Sequence, residues 1–173
     1  MNKQVWIEKA LGLGIQEFEI YQSTTVEKEM TWFQGQMDTL VSSKVTGTSI
    51  RGIVDGKMAN MALEEIDDSM CETVLKSLIE QAHIISNEET DSLRKPEPIE
   101  YVKKDVTWNM ASTEYVKDIL QSLEAKILAY DPRVIQVGYL GYSQGSGSRS
   151  IVNSLGMDVQ DADEMQYIVA SVV

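Results

Sequence analysis

Residues 24–63 constrain the fold more than any other stretch. Two polar-Gly dipeptides, Gln34-Gly35 and Asp55-Gly56, lie there between runs with strand alternation. A two-residue hairpin loop needs positive φ, and Gly supplies it without steric cost. Before Gly35, Met30 and Trp32 fall on one face, with Glu27, Glu29 and Thr31 on the other. After Gly56, Met58, Asn60 and Ala62 oppose Lys57, Ala59 and Met61 in a weaker alternation. With a third break expected at Thr46-Gly47, the stretch predicts four strands in a meander and helices packed on it. No catalytic constellation lies within it.

The flanking sequence supplies the helices. Residues 3–13 read as a short amphipathic helix with Val5, Ala10 and Leu13 near one stripe and Trp6 beside it. Gly12 and Gly14 end it, the second in the left-handed conformation that glycine takes after a helix. Residues 17–22 alternate strictly and predict a first strand. Asp67-Asp68-Ser69 offers a cap oxygen and negative charge at the start of a second helix, whose stripe is Met70, Val74, Leu78, Ala82 and Ile85. Residues 87–104 are polar and acidic, carry Pro96 and Pro98, and read as a linker. Ser112 caps a third helix running to Tyr130, with Tyr115, Ile119, Leu123 and Ile127 as its stripe, and Asp131-Pro132 stops it. Residues 133–143 predict a central strand, residues 144–147 a turn, residues 148–154 another strand, and Leu155-Gly156 a further turn. One or two strands follow from Met157, and the chain stops on the apolar run 167–173, the pattern of a chain cut at a domain boundary.

The expected class is α+β, a mainly antiparallel meandering sheet with about three helices packed on it. A first lobe at 1–86, a linker at 87–111 and a second lobe at 112–173 are expected. Each half carries a helix, a strand and a hairpin ending in Gly35-Gln36-Met37-Asp38 or Gly156-Met157-Asp158, an echo that either an internal duplication or shared fold grammar would produce.

Composition excludes several function classes. A chain of 173 residues is one domain or two small lobes, long enough to bury about 70% of its unfolded surface. Its 15 Lys and Arg against 27 Asp and Glu give a net charge of −12, which repels phosphate backbones unless the basic residues cluster. Arg94-Lys95 and Lys103-Lys104 are the only adjacent basic pairs, so no nucleic-acid partner is expected. One cysteine, Cys71, cannot form an internal disulfide and fits a reducing compartment. No signal-peptide pattern opens the chain and no apolar run approaches the roughly 20 residues needed to span a bilayer. The expected location is the cytoplasm, with no membrane partner.

No catalytic, cofactor-binding or metal-ligating residue is assigned. The one histidine, His83, stands alone on the second helix, off its apolar stripe, and reads as a surface residue; a zinc site needs several convergent ligands. Cys71 lies among Asp67, Asp68 and Glu72, which would raise a thiol pKa, and reads as a structural or surface thiol. Ser146 is flanked by glycines without matching G-x-S-x-G. Gly138, Gly141, Gly145 and Gly147 lack the following helix that a phosphate loop needs. The acidic clusters Glu88-Glu89 and 161–164 lack cation-loop spacing and read as solvated loops. Trp6, Trp32 and Trp108 are core or interface candidates. The adjacent Trp32 and Phe33 point to opposite faces of one strand, so one of them faces a second layer, a partner or another domain.

Two blocks carry a resemblance. The first is Gln34-Gly35-Gln36-Met37 followed by Gly47-Thr48-Ser49-Ile50-Arg51-Gly52-Ile53-Val54-Asp55-Gly56-Lys57; the second is Ser148-Arg149-Ser150-Ile151-Val152-Asn153-Ser154-Leu155-Gly156. In order and spacing they resemble the TldD/PmbA family, often labelled modulators of DNA gyrase. Ala59 departs from the glycine expected after the Asp-Gly-Lys turn.

The resemblance implies the N-terminal domain of a longer protein. Family members carry a C-terminal domain, which in the TldD arm holds an HExxxH zinc-peptidase motif absent here. It implies no cofactor in this chain, with zinc in the missing domain or in a partner. It also implies a homodimer or family heterodimer for the full-length protein, a peptide substrate, and somewhat greater likeness to the PmbA arm. The expected role is non-catalytic, shaping a substrate cavity or partner interface through an open sheet and strand edges. The rival reading is a stand-alone interaction module unrelated to proteolysis.

Overall fold

The structure, a computed structural model, describes residues 1–64, 66–86, 90–98 and 110–173. Its elements are α1 (Lys3–Gly12), β1 (Glu17–Phe33), β2 (Gln36–Val54), β3 (Lys57–Leu63), a 3₁₀ turn (Asp68–Met70), α2 (Cys71–Ile84), α3 (Thr113–Tyr130), β4 (Val137–Asn153) and β5 (Asp158–Val172). The five strands form one antiparallel sheet in the order β3-β2-β1-β4-β5, and with three α-helices the fold is α+β.

Both hairpin turns arise where the dipeptides place them. Gln34 and Gly35 have φ of 49° and 79°, and Asp55 and Gly56 have 50° and 74°. Positive φ at both central positions matches the right-handed twist of the flanking strands. From the second turn β2 pairs with β3 in register from Val54↔Lys57 to Thr48↔Leu63. Helix starts are equally local. The Asn2 side chain accepts from Val5 N, and Ser112 Oγ accepts from Tyr115 N at 3.1 Å. Asp67 caps the 3₁₀ turn through Ser69 N, so α2 itself begins at Cys71. Gly14 ends α1 at a φ of 94°.

Two expected breaks are continuous strand. The meander has three strands, because β1 already starts at Glu17 and β2 runs straight through Thr46-Gly47. Gly47 stays out of the left-handed region, and the neighbouring Thr46 Oγ1 lies 3.0 Å from Thr24 Oγ1 across the β1–β2 pair. Likewise β4 passes unbroken through residues 144–147. Gly147 there serves close approach: a Cβ on it would lie 2.7 Å from Asp163 Oδ1. Gln144 is buried, and its Oε1 accepts from Ala111 N at 3.0 Å and from the Tyr142 hydroxyl at 2.7 Å.

The chain divides into two compact units that are interleaved along the sequence rather than consecutive, because the long strands contribute to both. The first comprises Met1–Thr24, Thr46–Asp105 and Ser148–Asp161; the second comprises Thr25–Val45, Val106–Gly147 and Ala162–Val173.

In the first unit, Trp6, Ile7 and Ala10 of α1 and Val74, Leu75, Leu78 and Ala82 of α2 pack with Phe18, Ile20, Ile50 and Val54. Leu13 and Met70, expected on the helix stripes, are exposed, and Trp6 and Cys71 take the buried positions. The described part of the expected linker, residues 90–98, is packed. Asp91 N donates to Gly56 O at 2.9 Å, Leu93 N donates to Glu17 Oε2 at 2.6 Å, and Leu93 is buried. Residues 87–89 and 99–109, including Glu88-Glu89, Lys103-Lys104 and Trp108, lie outside the described residues.

In the second unit, Met30, Trp32, Val137, Leu140 and Tyr142 pack against Val116 and Leu120 of α3. The buried face of α3 is wider than the apolar spacing predicts: Leu123 and Ile127 of the expected stripe pack against the cluster part-buried, and Ile119 is part-buried. Tyr115 is exposed, whereas Val116, Leu120 and Glu124 are buried. A buried glutamate has no place in an apolar-periodicity reading, and its carboxyl is held there by hydrogen bonds from Trp32 and Gly35.

Candidate functional site

Each described residue weighed for chemistry in the sequence has a definite place. His83 is exposed, with Nε2 3.7 Å from Asp55 Oδ2, and no group of three or more ligating side chains lies together among the described residues. Cys71 is buried, and burial raises its thiol pKa, keeping it protonated and unreactive at neutral pH. Ser146 is buried within β4. Asp161, Asp163 and Glu164 lie on β5 and not in a loop.

The candidate surface is the outer part of the sheet in the second unit. β5 is an edge strand, and every residue from Asp163 to Val173 is exposed. Met165, Tyr167, Ile168, Val169 and Val172 stand on it with no charge after Glu164. Natural sheets shield such edges with Lys, Pro, bulges or a covering element, so an apolar, uncharged edge of this length calls for something to pair with it. On β2 of the same unit, Met37, Leu40, Val41 and Val45 are also exposed.

Trp32 and Phe33 divide between the two faces as their alternation requires. Trp32 is buried in the α3 cluster, and its neighbour Phe33 is 37% exposed. Behind Trp32 the Glu124 carboxyl accepts from the indole and from the hairpin backbone at Gly35, fixing the turn that joins β1 to β2.

Sequence reasoning missed one polar cluster in the first unit. Glu19 of β1, Arg51 of β2 and Asn153 of β4 meet, with Arg51 Nε 2.7 Å from Glu19 Oε1 and Asn153 Nδ2 3.1 Å from Glu19 Oε2. Asn153 also donates to Arg94 O at 2.9 Å, and its Oδ1 accepts from Leu155 N and Met157 N at 3.0 and 2.9 Å. A buried asparagine thus shapes the β4–β5 turn while supporting a buried carboxyl group. The available signal was the presence of Arg51 and Asn153 in the two blocks quoted above.

Comparison with known proteins matches this architecture. Residues 18–86 match the profile described as PmbA/TldA metallopeptidase domain 1, and residues 107–173 match the PmbA/TldA metallopeptidase central domain. Comparison with curated proteins gives no match. Among solved structures, TldE from Thermococcus kodakarensis shares 19% identity at a TM-score of 0.78 over 98% of this chain and 38% of its own. A candidate modulator of a DNA gyrase from Thermotoga maritima shares 19% identity at a TM-score of 0.77 over 97% of this chain and 38% of its own. At these identities the structural likeness concerns the fold, and the chain spans well under half the length of those proteins. The two matched profiles follow one another, separated by residues 87–106, over most of the sequence, and on them the chain belongs to the PmbA/TldD metallopeptidase family.

Proposed function

We propose that this chain acts as a non-catalytic N-terminal part of a TldD/PmbA-type metallopeptidase component, contributing to a partner interface or to the wall of a substrate cavity. The observation that supports this reading is the apolar edge of β5, which no strand among the described residues pairs on its outer side, an arrangement suited to strand addition. Catalysis and any zinc belong, in this reading, to another domain or to a family partner. Either a homodimer or a family heterodimer, with the chain on the PmbA side, places β5 at a contact. Peptide is the substrate class, and strand addition is the mode that an open edge accommodates.

The deciding experiment is the intact mass and zinc content of the native product from its source cells. A product much heavier than this chain, carrying an HExxxH motif or co-purifying with a zinc-bearing relative, is the expected result. A native product of 173 residues that binds no such relative overturns it and leaves the stand-alone interaction module. In the native assembly, Ile168→Lys and Val169→Lys should weaken association without unfolding the first unit.

A further inference from the structure

We propose that the cleft around Arg51 is a binding site for a carboxylate attached to an apolar group. Both oxygens of Glu19 are occupied: Arg51 Nε and Nη2 approach Oε1 at 2.7 and 2.6 Å, and Asn153 Nδ2 approaches Oε2 at 3.1 Å. Glu19 and Asn153 are buried, so the guanidinium is held from behind along one side of its fork. The Arg51 side chain nevertheless remains 44% exposed and lines a cleft of about 420 Å³ with Glu19, Tyr21, Ser49, Asn60 and Ile151. A guanidinium carries five N–H donors in a fixed plane, and the remaining ones have no partner among the described residues. Fork geometry of this kind matches a carboxylate, two parallel N–H···O bonds at a time.

A second cleft of about 270 Å³ shares Tyr21 and Ile151 with the first and is walled further by Val159, with Arg149 and Asp161 also in its lining. The shared wall sets the two side by side: the Glu19-paired Arg51 with neutral hydrogen-bonding groups on one side, a mostly apolar recess on the other. Their combined size suits a small ligand or a chain terminus. Charge argues for a singly charged ligand. Glu19 offsets Arg51 and Asp161 offsets Arg149, so the lining has no net charge, and a polyanion would meet no compensating field on a chain of net charge −12. An ion pair with one partner half exposed contributes little net stability, so an interstrand tie alone is a weak reason for placing one here. Fixing a half-exposed guanidinium toward a cleft is a stronger one. This proposal does not depend on the peptidase reading.

The test is a backbone-amide chemical-shift titration of the 173-residue chain with N-acetyl-leucine, its carboxamide, and a hexapeptide ending in a free leucine. Saturable shifts at Tyr21, Arg51, Asn60 and Ile151 are expected with the acid, and at least about tenfold weaker binding with the carboxamide, the equivalent of about 1.4 kcal/mol. Binding of the hexapeptide as tightly as the acid would identify a peptide C-terminus as the ligand, and binding of N-acetyl-leucine alone a small free carboxylate. The double variant Glu19→Gln/Arg51→Gln removes both charges without stranding a buried carboxylate and should lose the shifts while still folding. Asn60→Ala, on the cleft wall, should weaken binding in an intact ion pair. Absence of saturable shifts, equal binding of acid and carboxamide, or unchanged binding by the folded double variant overturns the proposal.

Discussion

The indole Nε1–H of Trp32 donates to Glu124 Oε2 at 2.8 Å, and the backbone N–H of Gly35 donates to the same oxygen at 2.9 Å. One buried side chain on α3 therefore satisfies both an aromatic donor in the core and an orphan donor in a hairpin turn. Replacing it by Ala leaves two donors unpaired, a loss of about 2–3 kcal/mol for hydrogen bonds of this kind. The Glu124→Ala variant should unfold at correspondingly lower denaturant, and its Trp32 indole proton resonance should move. Glu124→Gln, which keeps an acceptor oxygen, should recover most of the loss.

Gly52 faces the helices of the first unit with no room to spare. A Cβ there would lie 2.9 Å from Ile15 Cγ2, 2.9 Å from Leu78 Cδ2 and 3.6 Å from Phe18 Cδ2. All three neighbours are buried core side chains, so the methyl group forces them aside. Gly52→Ala should cost about 1–3 kcal/mol by overpacking, measured by urea denaturation. Gly12→Ala, where nothing lies within 4 Å, should not lower stability.

Asp68 clasps the N-terminus of the chain to the turn before α2. Its Oδ1 accepts from Asn2 N at 2.8 Å and from Trp6 Nε1 at 2.9 Å, and these bonds, the backbone one foremost, hold its pKa below the ordinary 3.8. The folded form therefore binds a proton less readily than the unfolded form. The contribution is complete above the ordinary value and is lost as pH falls through the lower folded value. Acid titration followed by the Trp6 indole proton should show a transition below pH 3.8 that Asp68→Asn abolishes.

Cys71 should resist alkylation. Its side chain is 1% exposed and burial raises its pKa, so little thiolate is present at neutral pH and little of that is accessible. Iodoacetamide at neutral pH should label it far more slowly in the native protein than in denaturant. Fast native labelling would contradict the packing of α2 described here.

Periodicity and turn chemistry made much of the fold legible, and the exceptions share one cause. Gln34-Gly35 and Asp55-Gly56 were readable because a turn is decided by the φ that its own two residues can adopt. The burial of Glu124 on α3 was not readable, since the indole that donates to it, Trp32, lies 92 residues away in the sequence. Residues 90–98 look like a linker by composition, yet Glu17 and Gly56 pin them. The Glu19–Arg51–Asn153 cluster was invisible for the same reason, as its members sit on three strands brought together only by the sheet.

The sequence by itself determined the α+β class, the three helices, the Ser112 cap of α3, the hairpin turns at Gln34-Gly35 and Asp55-Gly56, and the family to which the chain belongs. Each of these rests on interactions within a few residues or on motif order. Only the tertiary structure decided where strands continue through Gly47 and residues 144–147, and which polar groups are buried. It also decided that β5 is left as an apolar edge. A glycine reads the same in a turn and in a strand, and what it does depends on the atoms that arrive from elsewhere: Asp163 beside Gly147, Ile15 and Leu78 beside Gly52.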